Sequence, residues 1–496
     1  MSRPAPRYPA LYELNTRVWI TGRSRALGRS ATLDDIPDPT LDDLARQGFD
    51  WIWLLSVWQT GEAARAVSRS NPEWRREFEQ TLPDLAESDI GGSGFAISGY
   101  SVHPELGGDA ALARLRERMK SRGLRLMLDF VPNHVAPDHP WVGSHPEYFV
   151  QGTDADLERE PHNYVRVPPG GGSRVFAHGR DPFFPGWPDT LQLNYGNPDL
   201  QQALTGELLR IAGQCDGLRC DMAMLVLPEV FQRTWKIVAP DFWPTAISRI
   251  REQHPDFVFL AEAYWGLEWT LQQQGFDYCY DKRLYDRLKD GPARSVRAHL
   301  CAGLDYQDRL ARFLENHDEP RAATVFPGDR ERAAAVVTYF SPGLRFFHQG
   351  QFEGRRKRIS PHLIRAPDEP VDPDVQDLYS RLLGLLRRPV FRDGDWTLLA
   401  SHPAWEGNGT HDDLITFGWR GPDAGHWVVV VNASDHASQG KIRLQVPVPA
   451  RARLRVEDRW NGTGYDWNGS DLESGGLFVD LPAWGVHVLE VLVQNP

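Results

Sequence analysis

Gly217-Leu218-Arg219-Cys220-Asp221-Met222 is the stretch whose reading decides the fold. Its only charges stand two residues apart in an otherwise apolar run. On a strand, residues i and i+2 share a face, so Arg219 and Asp221 project together at the run's C-terminal end. Seven further runs are similarly apolar: 11–20, 51–55, 124–130, 257–261, 276–280, 311–314 and 344–347. Short, near-continuous apolar runs fit strands covered on both faces. Helical patterns lie between and after them at 41–47, 110–121, 198–213, 229–235 with 242–253, 267–273, 293–300, 331–340 and 373–387. Thr40-Leu41-Asp42-Asp43 and Asn197-Pro198-Asp199 carry helix-start signals.

This alternation predicts an α/β fold, a parallel (β/α)8 TIM barrel with long insertions. The segments 58–99, after strand two, and 135–190, after strand three, exceed ordinary loop lengths and are read as functional. Within the second, Pro168-Pro169-Gly170-Gly171-Gly172-Ser173 reads as a hairpin tip without the Lys-Ser/Thr of a phosphate loop. After residue 395, short alternating runs at 414–419, 427–431, 442–446, 453–456 and 487–493 predict a C-terminal antiparallel β-sandwich. The expected plan is a barrel formed by 1–134 and 191–394, an inserted subdomain at 135–190, and a sandwich at 395–496.

Bulk properties narrow the function. The formal charge is −12 and interspersed, which repels a phosphate backbone and argues against a nucleic-acid partner. The basic run Arg355-Arg356-Lys357-Arg358 reads as a solvated loop. No apolar run has the length of about 18 to 20 residues that spans a bilayer, and no apolar h-region follows Met1, so neither membrane nor signal peptide is expected. Cys215, Cys220, Cys279 and Cys301 lack metal-site spacing and read as structural thiols in a reducing compartment, giving a cytoplasmic expectation. The 18 tryptophans are mostly core, though their flat faces also suit sugar rings, which favours a carbohydrate ligand.

A barrel's site lies at the C-terminal ends of its strands. Strand three ends in Asp129-Phe130-Val131-Pro132-Asn133-His134, strand four in Asp221, strand five in Glu262, and strand seven in Glu315-Asn316-His317-Asp318. One carboxylate after a strand is commonly a helix cap. Carboxylates, histidines and an arginine after four strands are poorly explained that way. Retaining glycoside hydrolysis needs two carboxyls about 5–5.5 Å apart, one ionised and one protonated, and repulsion between them splits their pKa values. Arg219 stands where it would keep Asp221 ionised.

These four segments, in this order, resemble the signature regions of the α-amylase family, glycoside hydrolase family 13. The likeness extends from Tyr12-Glu13-Leu14-Asn15 through the C-terminal sandwich. It implies Asp221 as nucleophile, Glu262 as general acid/base and Asp318 as the transition-state-stabilising carboxylate. It implies Arg219, His134 and His317 around the first sugar, Tyr100 stacking on it, and Arg321 as the arginine found there in several α-glucosidases. The family's Lys-His pair after the nucleophile is replaced by Met224 and Leu225, and the usual calcium-ligating aspartate by Gln192. The chain is therefore read as closer to intracellular α-glucosidase or transglycosylase-like members than to secreted endo-amylases, with no metal and no cofactor. Asn133 is expected to hydrogen-bond locally instead.

The expected function is a retaining α-glycosidase on maltooligosaccharides, glucans or small α-glucosides. A transglycosylase or disaccharide isomerase would use the same residues. A non-catalytic sugar-binding or scaffold member would be expected to lack a carboxylate, and all three are present. The two long loops are expected to shape a closed pocket, favouring exo-action or short substrates. Linkage and oligomeric state are not set by the sequence.

Overall fold

The structure, a computed structural model, describes residues 6–167, 173–422, 425–444 and 452–494. Eight parallel strands close a barrel: Ala10–Asn15, Trp51–Leu55, Arg125–Phe130, Gly217–Cys220, Val258–Ala261, Tyr278–Tyr280, Leu310–Arg312 and Leu344–His348. They follow chain order around the ring, and the first pairs with both the second and the eighth. Ala10–Asn15, Trp51–Leu55 and Leu344–His348 are buried at every position, although Glu13, Asn15, Arg345 and His348 interrupt the apolar pattern of the first and last. Register sets the rim. Cys220 is paired with Phe130 on one side and Ala261 on the other, so Asp221 and Glu262, each one residue further on, emerge side by side.

Two barrel elements depart most from the reading of the sequence. The run at 11–20 is not one strand: it ends at Asn15, whose side chain accepts from the Val18 amide at 3.2 Å and starts the helix Thr16–Leu27. Val18, Trp19 and Ile20 continue the apolar run and hide the turn; the cap was the available signal. A helix at Lys282–Asp290, capped by Asp281, was also missed. Its polar sequence contains only two buried residues, Leu284 and Tyr285.

The insertion after strand two pairs Trp58–Thr60 antiparallel with Ile97–Val102 and carries the helices Glu62–Ser70 and Pro72–Thr81. The insertion after strand three holds a three-stranded sheet, Gln151–Gly152, Arg174–Ala177 and Tyr164–Val167. Of its expected hairpin tip, 168–172 lies outside the described residues. Leu191–Gln192 returns antiparallel to His134–Val135 and sets Gln192 opposite His134.

Beyond the barrel, a six-stranded and a three-stranded antiparallel sheet form the sandwich. The run expected at 442–446 is displaced: the strand is Ser438–Ile442, and 445–446 lies outside the described residues. Its Ser-Gln-Gly-Lys-Ile sequence offers little apolar signal. The strand His426–Asn432 is covered on both sides. Val428 and Val430 pack into the sandwich with Leu454 and Leu489, while Trp427, Val429 and Val431 join the barrel's core. Trp419 closes the seam, its Nε1 donating to the Phe340 carbonyl at 3.0 Å. Among the described residues no helix is long and apolar enough to cross a membrane.

Candidate active site

Arg219 organises the rim. It is fully buried, and its Nη1 donates to Asp221 Oδ1 at 2.7 Å while Nη2 lies 2.8 Å from Glu262 Oε2. Its Nε donates to the Tyr280 hydroxyl at 3.2 Å, and the guanidinium carbon lies 5.2 Å from the ring centroids of both Trp53 and Phe95. Aromatic walls hold the cation without competing for its hydrogen bonds. Asp221 and Glu262 are 5% and 3% exposed. Burial raises both pKa values against the opposing charge of Arg219, and Glu262 reaches about 7. Asp221 alone takes a hydrogen bond from Arg219, which favours it as the carboxyl that ionises first.

Glu262 is oriented by two further contacts. Its Oε2 accepts from the Met222 amide at 2.6 Å, and its Oε1 from the Tyr264 hydroxyl at 2.9 Å. Met222 lies in the left-handed region, φ 42°, at the turn leaving strand four. That turn aims its amide at Glu262.

Across the rim, His317 Nδ1 lies 2.5 Å from Glu13 Oε1, and Nε2 lies 3.0 Å from Asp318 Oδ2. Burial alone would lower the histidine's pKa, but the two carboxylates outweigh it and raise the group well above its ordinary value. In return, His317 overcomes the burial of Asp318 and holds it at about 2. Asp318 keeps 41% of its side chain accessible, unlike the other two carboxylates. A cavity of about 760 Å³ opens beside His317 and includes Asn15, Trp19 and Gln349.

His134 lies at the end of strand three with its ring against Trp187, 5.2 Å between centroids, and burial lowers its pKa to about 3. Tyr100 is buried, 4% exposed. Its ring stacks on Phe130, and its hydroxyl donates to the Val131 carbonyl at 3.1 Å while accepting from the Val131 amide at 3.0 Å. Arg321 lines the cavity beside His317 and donates to Glu315 Oε1 at 2.6 Å and to the Gln349 carbonyl at 2.9 Å. Met224 and Leu225 are buried beneath the rim. Gln192 Nε2 donates into a cluster of three oxygens: the Asn133 carbonyl at 2.9 Å, Asn133 Oδ1 at 3.0 Å and the Leu193 carbonyl at 3.0 Å. An amide nitrogen set against those oxygens does not fit a divalent cation, which needs anionic or carbonyl oxygen there.

Four residues at the site were not singled out from the sequence. Glu13 could have been: it is a charge inside Ala10–Asn15, a strand buried throughout. Phe95 stacks on His317, 5.4 Å between centroids, yet comes from the insertion after strand two with no local signal. Tyr280 acts through a contact formed only when strands four and six assemble, and Tyr264 through Glu262, two residues before it.

Parallel strands closed into a ring, with these carboxylates past their C-terminal ends, define a (β/α)8 barrel with an acidic site at its rim. Residues 39–276 match the model of the α-amylase catalytic domain. It is 25% identical to an α-1,4-glucan:maltose-1-phosphate maltosyltransferase of Cereibacter sphaeroides, over 94% of this chain and 65% of that protein. It is 24% identical to the α-amylase MalA of Haloarcula japonica, over 75% of this chain and 48% of that one. The chain thus spans less than two thirds of the length of these relatives. Among solved structures it is similar to the maltogenic α-amylase AmyB of Thermotoga neapolitana, with TM-score 0.69, 18% identity and 99% of each chain covered. The α-amylase of Geobacillus thermoleovorans follows, with TM-score 0.67, 18% identity, and 99% and 100% covered.

Proposed function

We propose that the chain is a retaining enzyme acting on α-glucosidic bonds of maltooligosaccharides, glucans or small α-glucosides. The observation that carries this reading is one buried guanidinium spanning Asp221 and Glu262. Carboxyls held by one planar cation suit the short spacing of about 5–5.5 Å that retaining glycosidases use. Asp221 Oδ1 is engaged by Arg219, so Oδ2 is the atom that attacks the anomeric carbon. Met222 and Arg219 address Oε2 of Glu262, so its proton belongs on Oε1, from which it passes to the leaving glycosidic oxygen. The first step breaks the α-bond and leaves a β-glycosyl ester on Asp221. Glu262 then takes a proton from the acceptor hydroxyl as that oxygen displaces the ester. Asp318 and His317 carry the sugar hydroxyls at this centre.

The acceptor is water in a hydrolase and a sugar hydroxyl in a transglycosylase or isomerase. The near-complete cover over Asp221 and Glu262 supports the second acceptor, and so do relatives named as maltosyltransferases. We read 1–134 with 191–394 as the catalytic barrel, 135–190 as an inserted subdomain and 395–496 as the sandwich unit. The unpaired cysteines support a reducing, cytoplasmic compartment. The donor chemistry of Gln192 supports catalysis without calcium.

Asp221→Asn and Glu262→Gln test the assignment on an activated α-glucoside. Each is expected to lower kcat by at least about 10²; full activity in both would overturn the reading. A product profile from maltooligosaccharides then separates the acceptors: longer oligomers mark transfer, and glucose or maltose alone marks hydrolysis.

A further inference from the structure

A second cavity, of about 690 Å³, lies behind the loop that carries Phe95. Its walls come from the helices Thr16–Leu27 and Glu62–Ser70 and the turn Pro104–Leu106. None of the residues around Arg219 lines it. In a chain of net charge −12, three guanidinium groups meet here, those of Arg17, Arg65 and Arg69, against one lining carboxylate, Glu105.

Arg17 is 8% exposed, and among the described residues it meets no carboxylate within ion-pair distance. Its Nη2 donates to the carbonyls of Gly92 at 2.8 Å and Pro361 at 2.7 Å. Its Nη1 reaches only Gly91 O and Thr60 Oγ1, both at 3.4 Å. The buried Nε atoms of Arg17, Arg65 and Arg69 have no hydrogen-bond partner. Arg65 pairs with the well-exposed carboxylate of Glu62 at 3.0 Å; Arg69 lies 3.9 Å from that of Glu87 and donates to the Glu87 carbonyl at 3.1 Å, and such exposed pairs contribute little. A buried cation without a counter-charge is costly. The fold maintains one here and leaves space in front of it.

We propose that this cavity binds a phosphate monoester of a small sugar. A phosphate offers three acceptor oxygens and a negative charge, which is what convergent guanidinium groups recognise. The volume lies in the ordinary range for small-molecule sites, about 300–1,000 Å³, and exceeds what inorganic phosphate alone would fill. The hydroxyls of Thr21, Ser24, Thr60 and Ser88 and the carboxylate of Glu105 line the remainder and match a ring bearing several hydroxyls. The nearby His103 loses basicity through burial and the charges of Arg17 and Arg65, with Glu105 opposing, so it serves as a neutral partner. The site stands independently of the glycosidase reading.

Calorimetric titration of the full chain with glucose 6-phosphate, inorganic phosphate and glucose tests it. Glucose 6-phosphate is expected to bind saturably and at least tenfold more tightly than inorganic phosphate. The Arg65→Gln, Arg69→Gln double variant should weaken it at least tenfold without lowering the unfolding temperature, and the single Arg69→Gln should do so in part if the double variant folds poorly. His317→Ala, which alters the catalytic rim, should leave it unchanged. Absence of saturable glucose 6-phosphate binding, or sensitivity to His317→Ala and not to Arg69→Gln, overturns the proposal. Equal affinity for inorganic phosphate overturns the sugar component.

Discussion

At the scale of single residues, Glu262 is the group whose chemistry is easiest to move. Burial brings it to about 7, while the Tyr264 hydroxyl donates to its Oε1 and favours the charged form. As an acid, Glu262 works while protonated, so kcat/KM should fall as pH rises through about 7. Tyr264→Phe removes a donor to the carboxylate, raises the pKa further and should move that alkaline limb to higher pH. An unmoved limb in a pH–rate profile would exclude Glu262 as its source. Asp221 and Glu262 were legible because each follows directly on an apolar run, where a charge has few structural reasons to be. Phe95 and Tyr280 were not, because their role is fixed by partners on other strands. Tyr100 and Arg321 stand near the motif positions, and their polar atoms are held by the Val131 backbone and by Glu315.

At the scale of elements, Asp281 joins two helices to the seventh strand. It caps Lys282–Asp290 through the Leu284 amide, pairs with His299 at 3.0 Å, and receives Arg312 from strand seven. Burial would raise this carboxyl, but His299 and Arg312 prevail and hold it below its ordinary value. Its contribution to stability is therefore complete above the unfolded carboxylate pKa of about 4 and is lost as pH falls toward the folded value. Asp281→Asn should cost about 3–5 kcal/mol, because Arg312 is left buried and uncompensated; denaturant unfolding at neutral pH measures it. The insertion after strand three offers a second test. Gln192→Asp places a carboxylate against three oxygens, so the variant should melt lower than the parent in chelator and recover with calcium, whereas the parent's melting temperature should not respond. Asp281 was not visible beforehand, because it follows a strand like any helix cap, whereas Gln192 stood out against the family pattern.

At the scale of the whole molecule, the eightfold alternation and the change of pattern near residue 395 were readable because buried strands and helices carry different periods. What alternation could not convey is that the six-stranded sheet shares the barrel's core. Val428 and Val429 look alike in sequence and face opposite sides. A chain ending at Gly394 would uncover the barrel residues now beneath Phe417, Trp419, Trp427 and Val429, an exposed apolar patch of the kind that drives aggregation. Such a truncation should lose soluble yield and bind a hydrophobic dye; a soluble, monomeric, fully active barrel would contradict it. The seam between the first and eighth strands also imposes an order of events during synthesis. Ala10–Asn15 can meet Trp51–Leu55 early, but its other edge stays open until Leu344–His348 has left the ribosome. For most of translation the nascent chain therefore carries an open sheet edge that could pair with another copy, and its vulnerable interval scales with elongation rate rather than with the stability of the finished molecule.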